Sequence, residues 1–227
     1  MSLTRARVRA HTAAAATARR RRSLPRGAAP MRKLTLQMQM SVDGRVAAEH
    51  DGWQLWGFDW RGPWAWDAAL KQRFNATLDR IDGLVLSRPM AEEGFIDHWT
   101  AAAAHHPDDR DFDFTRKILA LDKIVISDKI EQPRWPRTRI AGGGLAREVN
   151  ALKAQPGKGL ICYGGVGFAS ALTAAGLVDE FEFYLNPAAA GAGRSLFPQD
   201  GLALSLLDSQ AYECGMIVNR YRPRDRG

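Results

Sequence analysis

The sequence is poor in the residues that build disulfide-rich or zinc-dependent folds, and it has no long apolar run. Cys162 and Cys214 are its only cysteines among 227 residues, and neither a CxxC nor an HxxxH spacing occurs. We therefore expect no disulfide scaffold and no metal site. No stretch reaches the roughly 18 consecutive apolar residues of a membrane span, so we expect no membrane partner and a cytoplasmic protein.

Acidic residues are absent from the first thirty positions, which hold eight arginines. The rest of the chain carries 24 basic and 25 acidic side chains, so the net charge of +7 belongs to this segment. Because the segment has no apolar periodicity, we expect residues 1–30 to be a disordered Ala/Arg-rich extension. Three origins fit its composition: a stretch upstream of a true start at Met31, a disordered tail, or a targeting or nucleic-acid-binding segment. Nucleic acid is the least favoured partner.

From residue 31 onward, strand and helix patterns alternate. Period-two alternation predicts a strand over residues 34–40, and apolar spacing of three and four predicts a helix over 66–81. The same criteria predict further strands at 83–86, 123–126, 159–163 and 180–185, and helices at 114–121, 145–152 and 168–175. The last two strands, 202–207 and 216–221, have no helix between them and are predicted to be antiparallel. The pattern indicates one α/β domain over residues 31–222, with helices on both faces of a mostly parallel sheet, followed by a polar tail over 223–227.

Polar or glycine-rich loops follow most of the predicted strands, where open α/β sheets bind their ligands. Gly164-Gly165-Val166-Gly167 leads into a helix, so its backbone could approach a phosphate, although a tight strand-to-helix turn explains it equally well. Ser87 and Arg88 either hold an anion at a helix start or form an ordinary cap with a solvated arginine. Ser127-Asp128 follows the next strand. Asp43-Gly44 is also typical of a hairpin turn.

The remaining chemistry-bearing side chains favour structural interpretations. His98, His105 and His106 lie in a polar stretch and are expected to be solvated loop residues rather than metal ligands. Cys162 lies inside a predicted strand and is expected to be a small buried hydrophobe.

Five of the seven tryptophans lie within fourteen residues, between glycines and a proline. Such a loop suits a lid over a flat ring system, with Trp53, Trp56 and Trp60 as its contacts. Packing of the indoles onto the core, or a dimer surface, would give the same pattern.

The order of these motifs resembles the dihydrofolate reductase superfamily. The matching segments are the SxDG around Asp43, the Ser87-Arg88-Pro-Met strand end, the paired glycines from Gly164, Gly176-Leu-Val-Asp-Glu180, and Pro187 to Phe197. The sequence is most similar to stand-alone relatives of the reductase domain at the C-terminus of the bifunctional riboflavin-biosynthesis deaminase/reductase. The resemblance covers residues 31–222 and is most specific from Cys162 to Phe197.

The resemblance implies a three-layer sandwich with a dihydrofolate-reductase-like mixed sheet, an NADPH cofactor and a homodimer. By position, Gly164, Gly165, Val166 and Gly167 match the pyrophosphate loop of the family. Ser87, Arg88 and Ser127 match the loops beside the adenosine end of the cofactor. Asp43 matches the loop near the nicotinamide end and is the only catalytic candidate.

Three features of the sequence depart from the family pattern. Ser87-Arg88-Pro-Met replaces GRxT, which removes a glycine and a threonine hydroxyl. Asp128 follows the serine at the third strand end, where a basic or hydroxyl residue is common. Tyr163 stands where the riboflavin reductases have a glutamate, which favours a more apolar substrate and adds Tyr163 to the predicted substrate contacts.

Together these features predict a nicotinamide-dependent reductase that transfers a hydride to a small planar heterocycle and is not the riboflavin-pathway reductase. NADPH is the expected cofactor, with NADH possible. The alternative is a nucleotide- or flavin-binding protein without turnover.

Overall fold

The centre of the fold is a mixed sheet of eight strands. The computed structural model describes residues 31–48, 65–197 and 201–224. The strands of this sheet are β1 (Leu34–Ser41), β3 (Ile81–Ser87), β4 (Asp122–Ile126), β5 (Thr138–Ala141), β6 (Gly159–Cys162), β7 (Glu180–Asn186), β9 (Leu204–Ala211) and β10 (Ile217–Pro223). Their order across the sheet is β5-β4-β3-β6-β1-β7-β10-β9. A separate two-stranded ribbon pairs β2 (Ala47–Ala48) with β8 (Gly193–Arg194).

The first six strands of the order run parallel, and only the C-terminal pair is antiparallel. Within the described ranges, six α-helices accompany the sheet: α1 (Ala68–Leu78), α2 (Arg88–Glu92), α3 (Phe95–His105), α4 (Asp113–Ala120), α5 (Leu145–Lys153) and α6 (Val166–Ala174). The predicted fold class, a mostly parallel sheet with an antiparallel C-terminal edge and helices on both faces, is therefore confirmed.

Alternation along the strands divides the core into two layers. On β1, Leu36 and Met38 pack with residues of α5 and α6, whereas on β7 the side chain of Tyr184 packs with α1, α3 and α4. Cys162 is fully buried in the first of these layers, as its sequence context predicts. Since helices cover both faces, the central strands are buried, and β3 and β6 contain short continuous hydrophobic runs.

Charged pairs lie near the amino-terminal ends of the central parallel strands. Asp179 accepts the backbone amide of Leu34 at 2.8 Å and pairs with Lys153 at 2.6 Å. Glu180 pairs with Lys33 at 2.7 Å and with Arg220 at 2.8 Å. The Asp179-Glu180 dipeptide thus joins the start of β7 to neighbouring elements. It lies away from the loops that follow the strands, and we assign it no catalytic role.

Three elements differ from the sequence expectations. The helix predicted over 66–81 is shorter, because Asp67 caps it by accepting the amide of Leu70 at 2.8 Å. The polar stretch with the three histidines is predicted to be a loop, but His98 and His105 belong to α3, whose apolar side buries Trp99. Strand β5 is absent from the sequence prediction, because it is a short strand at the sheet edge in which only Ala141 is buried, and it lacks a hydrophobic run.

No helix in the described part of the chain is both long and apolar enough to span a bilayer. The predicted extension over residues 1–30 lies outside the described residues, and so does most of the predicted polar tail.

Candidate active site

The carboxyl ends of the parallel strands open on one cavity of about 1030 Å³. Its lining comes from β1, the β3–α2 junction, α3, the loop after β4, the loop after β6, α6 and β8: Gln37, Met38, Gln39, Val46, Ser87, Arg88, Pro89, Met90, Glu93, Gly94, Phe95, His98, Trp99, Ile126, Ser127, Asp128, Lys129, Tyr163, Gly165, Val166, Gly167, Phe168, Ala171 and Arg194. The structure therefore brings together the predicted loops after β3, β4 and β6. This is the edge at which α/β sheets of this kind bind ligands.

The glycine loop after β6 leaves its backbone accessible to a ligand. Gly164 has a φ of 114°, which favours glycine, and its peptide bond to Gly165 is cis. A Cβ added at Gly165 would meet no atom of the described residues within 4 Å. Gly165 is also the N-cap of α6, and no side chain caps that helix. The first amides of α6 are thus available to an anion, which the helix dipole would favour.

Arg194 supplies a positive charge beside this loop, and sequence reasoning missed it. Its guanidinium Nη2 lies 3.6 Å from the point where a Cβ would stand if Gly167 carried one. The ribbon holds it there, because Arg194 pairs with Ala47 and its carbonyl accepts the amide of Val46 at 3.0 Å. The one available signal was a lone basic residue in an Ala/Gly-rich segment.

Asp43 fixes the segment that leads to Arg194. Its two carboxylate oxygens accept the amides of Ala190 at 2.9 Å and Gly191 at 2.8 Å. The Ser41 hydroxyl and then the amide of Ala190 lower the pKa of Asp43 to about 2. Asp43 itself lies outside the described lining of the cavity. Its catalytic role remains a prediction, and the geometry shows an ionised residue that positions a loop.

Ser87 and Arg88 stand at the start of α2, as predicted for an anion-binding or capping pair. The Ser87 hydroxyl accepts the amide of Met90 at 3.3 Å, so it caps the helix, and Pro89 occupies its first turn. Arg88 pairs with Glu92 at 2.7 Å across one turn of the helix. Both residues line the cavity, so the capping interpretation is correct for Ser87 while its role toward a cofactor remains a prediction.

The loop after β4 adds a carboxylate and an amine to the same side of the cavity. The Ser127 hydroxyl accepts the amide of Lys129 at 3.0 Å, which shapes the turn. Asp128 lies between them and is exposed, and all three residues line the cavity.

One wall of the cavity is aromatic. The Tyr163 ring lies 5.7 Å from Phe95 and 6.1 Å from Phe74 between centroids, and Phe95 lies 5.9 Å from Trp99. The Tyr163 hydroxyl is buried and has no hydrogen-bond partner among the described residues. Burial, reinforced by the Glu182 charge, raises the pKa of Tyr163 well above its ordinary value. This side chain is therefore neutral and mostly apolar toward a ligand.

A buried polar cluster surrounds Glu182. Glu182 is 1% exposed and pairs with Arg73 at 3.4 Å. It also accepts hydrogen bonds from Gln37 Nε2 at 2.7 Å and from the Thr77 hydroxyl at 3.3 Å. Sequence reasoning missed Glu182, because it lies inside a strand whose apolar neighbours gave no sign of a charged core position.

The remaining predicted groups are the tryptophan lid and the three histidines. The predicted lid residues Trp53, Trp56 and Trp60 lie outside the described part of the chain. Trp66, at the end of that loop, packs on the core with its ring 5.3 Å from Tyr184. Of the three histidines, His98 lines the cavity, and burial lowers its pKa. Within the described ranges, no three His, Cys, Asp or Glu side chains are grouped so as to hold a metal ion.

Comparison with solved structures places this arrangement in a known fold. A Shewanella sp. PV-4 protein named as a candidate riboflavin biosynthesis protein matches with a TM-score of 0.58 at 18% identity, over 85% of this chain and 99% of that one. A pyrimidine reductase-like protein from Corynebacterium diphtheriae matches with a TM-score of 0.52 at 15% identity, over 86% and 93%. The Thermotoga maritima diaminohydroxyphosphoribosylaminopyrimidine deaminase/5-amino-6-(5-phosphoribosylamino)uracil reductase matches with a TM-score of 0.57 at 13% identity, but this chain spans only 57% of it.

Sequence comparison agrees with the fold. The uncharacterized protein YyaP of Bacillus subtilis strain 168 is 32% identical over 75 residues, which are 32% of this chain and 40% of that protein. The family model for the RibD C-terminal domain matches residues 32–218. Because that match covers most of the sequence, the chain belongs to the RibD C-terminal domain family.

Proposed function

We propose that this protein is a nicotinamide-dependent oxidoreductase that uses NADPH to reduce a small planar heterocycle. The observation that carries the proposal is that one cavity combines two kinds of lining. Uncapped helix amides and a guanidinium suit phosphate, and aromatic side chains suit a flat ring. The Thermotoga maritima neighbour is by name a reductase of a substituted uracil, which agrees with this class of chemistry.

The residues present fit a dinucleotide. The amides at Gly165 to Gly167, with Arg194 beside them, would hold the pyrophosphate, since a Cβ at Gly165 would fill space that is open to a ligand. Ser87, Arg88 and Ser127 would flank the adenosine end. When bound, the nicotinamide supplies the hydride.

The chain's own residues would orient the substrate ring and keep water from it. Phe95 and Tyr163, backed by the buried Trp99, provide a surface on which a planar ring can stack. Holding two rings face to face can supply much of a catalytic advantage through orientation alone.

The test is oxidation of NADPH by the full chain in the presence of pyrimidine, pteridine and flavin-type rings. Ring-dependent oxidation, abolished by Gly165→Val, is the expected result. Tight binding of NADPH or a free flavin with no turnover on any ring would instead favour a binding protein without catalysis. Failure to bind NADPH, NADH and every free flavin would overturn both versions.

A further inference from the structure

Two glutamines of β1 face the cavity, and neighbouring residues hold their amides in opposite senses. Gln37 and Gln39 are two positions apart, so their side chains lie on the same face of the strand, about 7 Å apart. Both line the cavity. An amide side chain presents either its oxygen or its nitrogen to a ligand, and the partner at its other end decides which.

The partner of Gln37 fixes its oxygen toward a ligand. Its Nε2 donates to Glu182 Oε2 at 2.7 Å. A carboxylate accepts hydrogen bonds and cannot donate them, so the nitrogen of Gln37 must face Glu182. The ion pair between Arg73 and Glu182 keeps this acceptor in place beside Gln37, on the neighbouring strand β7. Gln37 is therefore left with Oε1, a hydrogen-bond acceptor.

The partner of Gln39 fixes its nitrogen toward a ligand. Asn186 Nδ2 donates one hydrogen to the backbone carbonyl of Met40 at 3.1 Å. Because carbonyls only accept, Nδ2 of Asn186 is fixed as the donor, and it also donates to Gln39 Oε1 at 3.0 Å. Gln39 is therefore left with its Nε2, a donor.

We propose that Gln37 and Gln39 select a neutral heterocycle that carries a lactam, with its ring N–H bound by Gln37 Oε1 and its ring C=O bound by Gln39 Nε2. Among the described residues, no group hydrogen-bonds to either of these two atoms. Neither glutamine carries a charge, so the pair favours an uncharged ring. This assignment rests on the proposed function only in placing the substrate ring in this cavity.

The probes are lumazine, which has lactam N–H groups, and 1,3-dimethyllumazine, which has the same ring without them. Fluorescence titration of the full chain should show lumazine binding at least about tenfold more tightly, the loss expected when a buried acceptor is left unpaired. Gln39→Met removes the donor and should weaken lumazine binding by about tenfold. Gln39→Glu keeps an oxygen for Asn186 but presents an acceptor in place of the donor, and should weaken it at least as much.

Thr35→Val, on the same face of β1 but away from the cavity, is the matched control and should bind lumazine as the native chain does. Equal binding of the two probes, no binding of either, or unchanged affinity in both Gln39 variants overturns the inference. NADPH binding is measured on the same samples. Dinucleotide binding without discrimination between the probes would overturn this inference alone, whereas discrimination without dinucleotide binding would overturn the proposed function alone.

Discussion

The carboxylate of Asp43 accepts the backbone amide of Gly191 at 2.8 Å and so joins the turn after β1 to the segment before Arg194. The second oxygen binds the amide of Ala190. A residue matched by resemblance to the nicotinamide end of the site thus controls, through the backbone, the position of a cation that lines the cavity. This relationship yields a prediction that separates positioning from catalysis.

Asp43→Asn should lower NADPH affinity several-fold and lower the free energy of unfolding at neutral pH, because an amide offers one acceptor oxygen where the carboxylate offers two. The folded pKa of about 2 lies below the ordinary 3.8, so the stabilisation is present above about pH 4 and is lost as the pH falls toward about 2. Urea unfolding at several pH values should show the difference between native and variant chains shrinking over that range. A difference that stays constant down to pH 2, or that Asp108→Asn at an exposed position reproduces, would contradict this account.

Arg194→Gln should weaken NADPH binding by roughly tenfold to a hundredfold, the cost of losing a charge-assisted hydrogen bond to phosphate. Titration calorimetry at two salt concentrations measures it, and the native chain should show the steeper salt dependence. Arg147→Gln, an arginine of α5 whose side chain is 73% exposed, serves as the control. Equal affinities for all three chains would remove Arg194 from the binding site.

Asp128 should weaken the preference for NADPH over NADH. Its carboxylate lies in the loop expected beside the adenosine phosphate, where it would repel the added charge. Asp128→Ser should raise the NADPH-to-NADH affinity ratio by about tenfold for each 1.4 kcal/mol of repulsion removed. A strong NADPH preference in the native chain that Asp128→Ser leaves unchanged would show that Lys129 or Arg88 dominates the charge balance.

The protein should not reduce the ribosylamino-uracil intermediate of riboflavin synthesis. That substrate is polar and phosphorylated, whereas Tyr163 presents a neutral ring at the position of the family's glutamate, and a missing hydrogen-bond partner discriminates strongly. Complementation of a strain that lacks the riboflavin reductase, with a direct assay on the intermediate, measures this. Growth without added riboflavin would show that Tyr163 does not set the substrate class.

The sequence predicted the sheet well because burial imposes its own period on each element. In β1 an apolar face alternates with a polar one, and in α1 and α4 the apolar spacing follows the buried face of the helix. Both patterns are visible in the printed residues. Helix α3 was missed because its outward face is rich in histidine and polar residues, although Trp99 anchors it. Edge strand β5 buries little and left no pattern.

The site was only partly predictable, for a related reason. Loops that follow strands could be placed at one edge from topology alone, which located Gly165, Ser87 and Ser127 correctly in the cavity lining. Arg194 and Glu182 could not be found this way. Arg194 reaches Gly167 through a ribbon that forms only in the folded chain. Glu182 is a charged residue inside a core strand, and its partners come from β1 and α1.

The most direct test of the central claim is calorimetric titration of NADPH into the native chain and into Gly165→Val. A Cβ at Gly165 meets no described atom within 4 Å, so the fold should tolerate valine there, but the side chain would fill the space that the pyrophosphate needs. Ala174→Val, at the exposed end of the same helix, is the control. The account predicts measurable NADPH binding in the native chain and the control and a loss of at least about a hundredfold in Gly165→Val, with all three unfolding at the same temperature. Unchanged NADPH affinity in a folded Gly165→Val chain would contradict it.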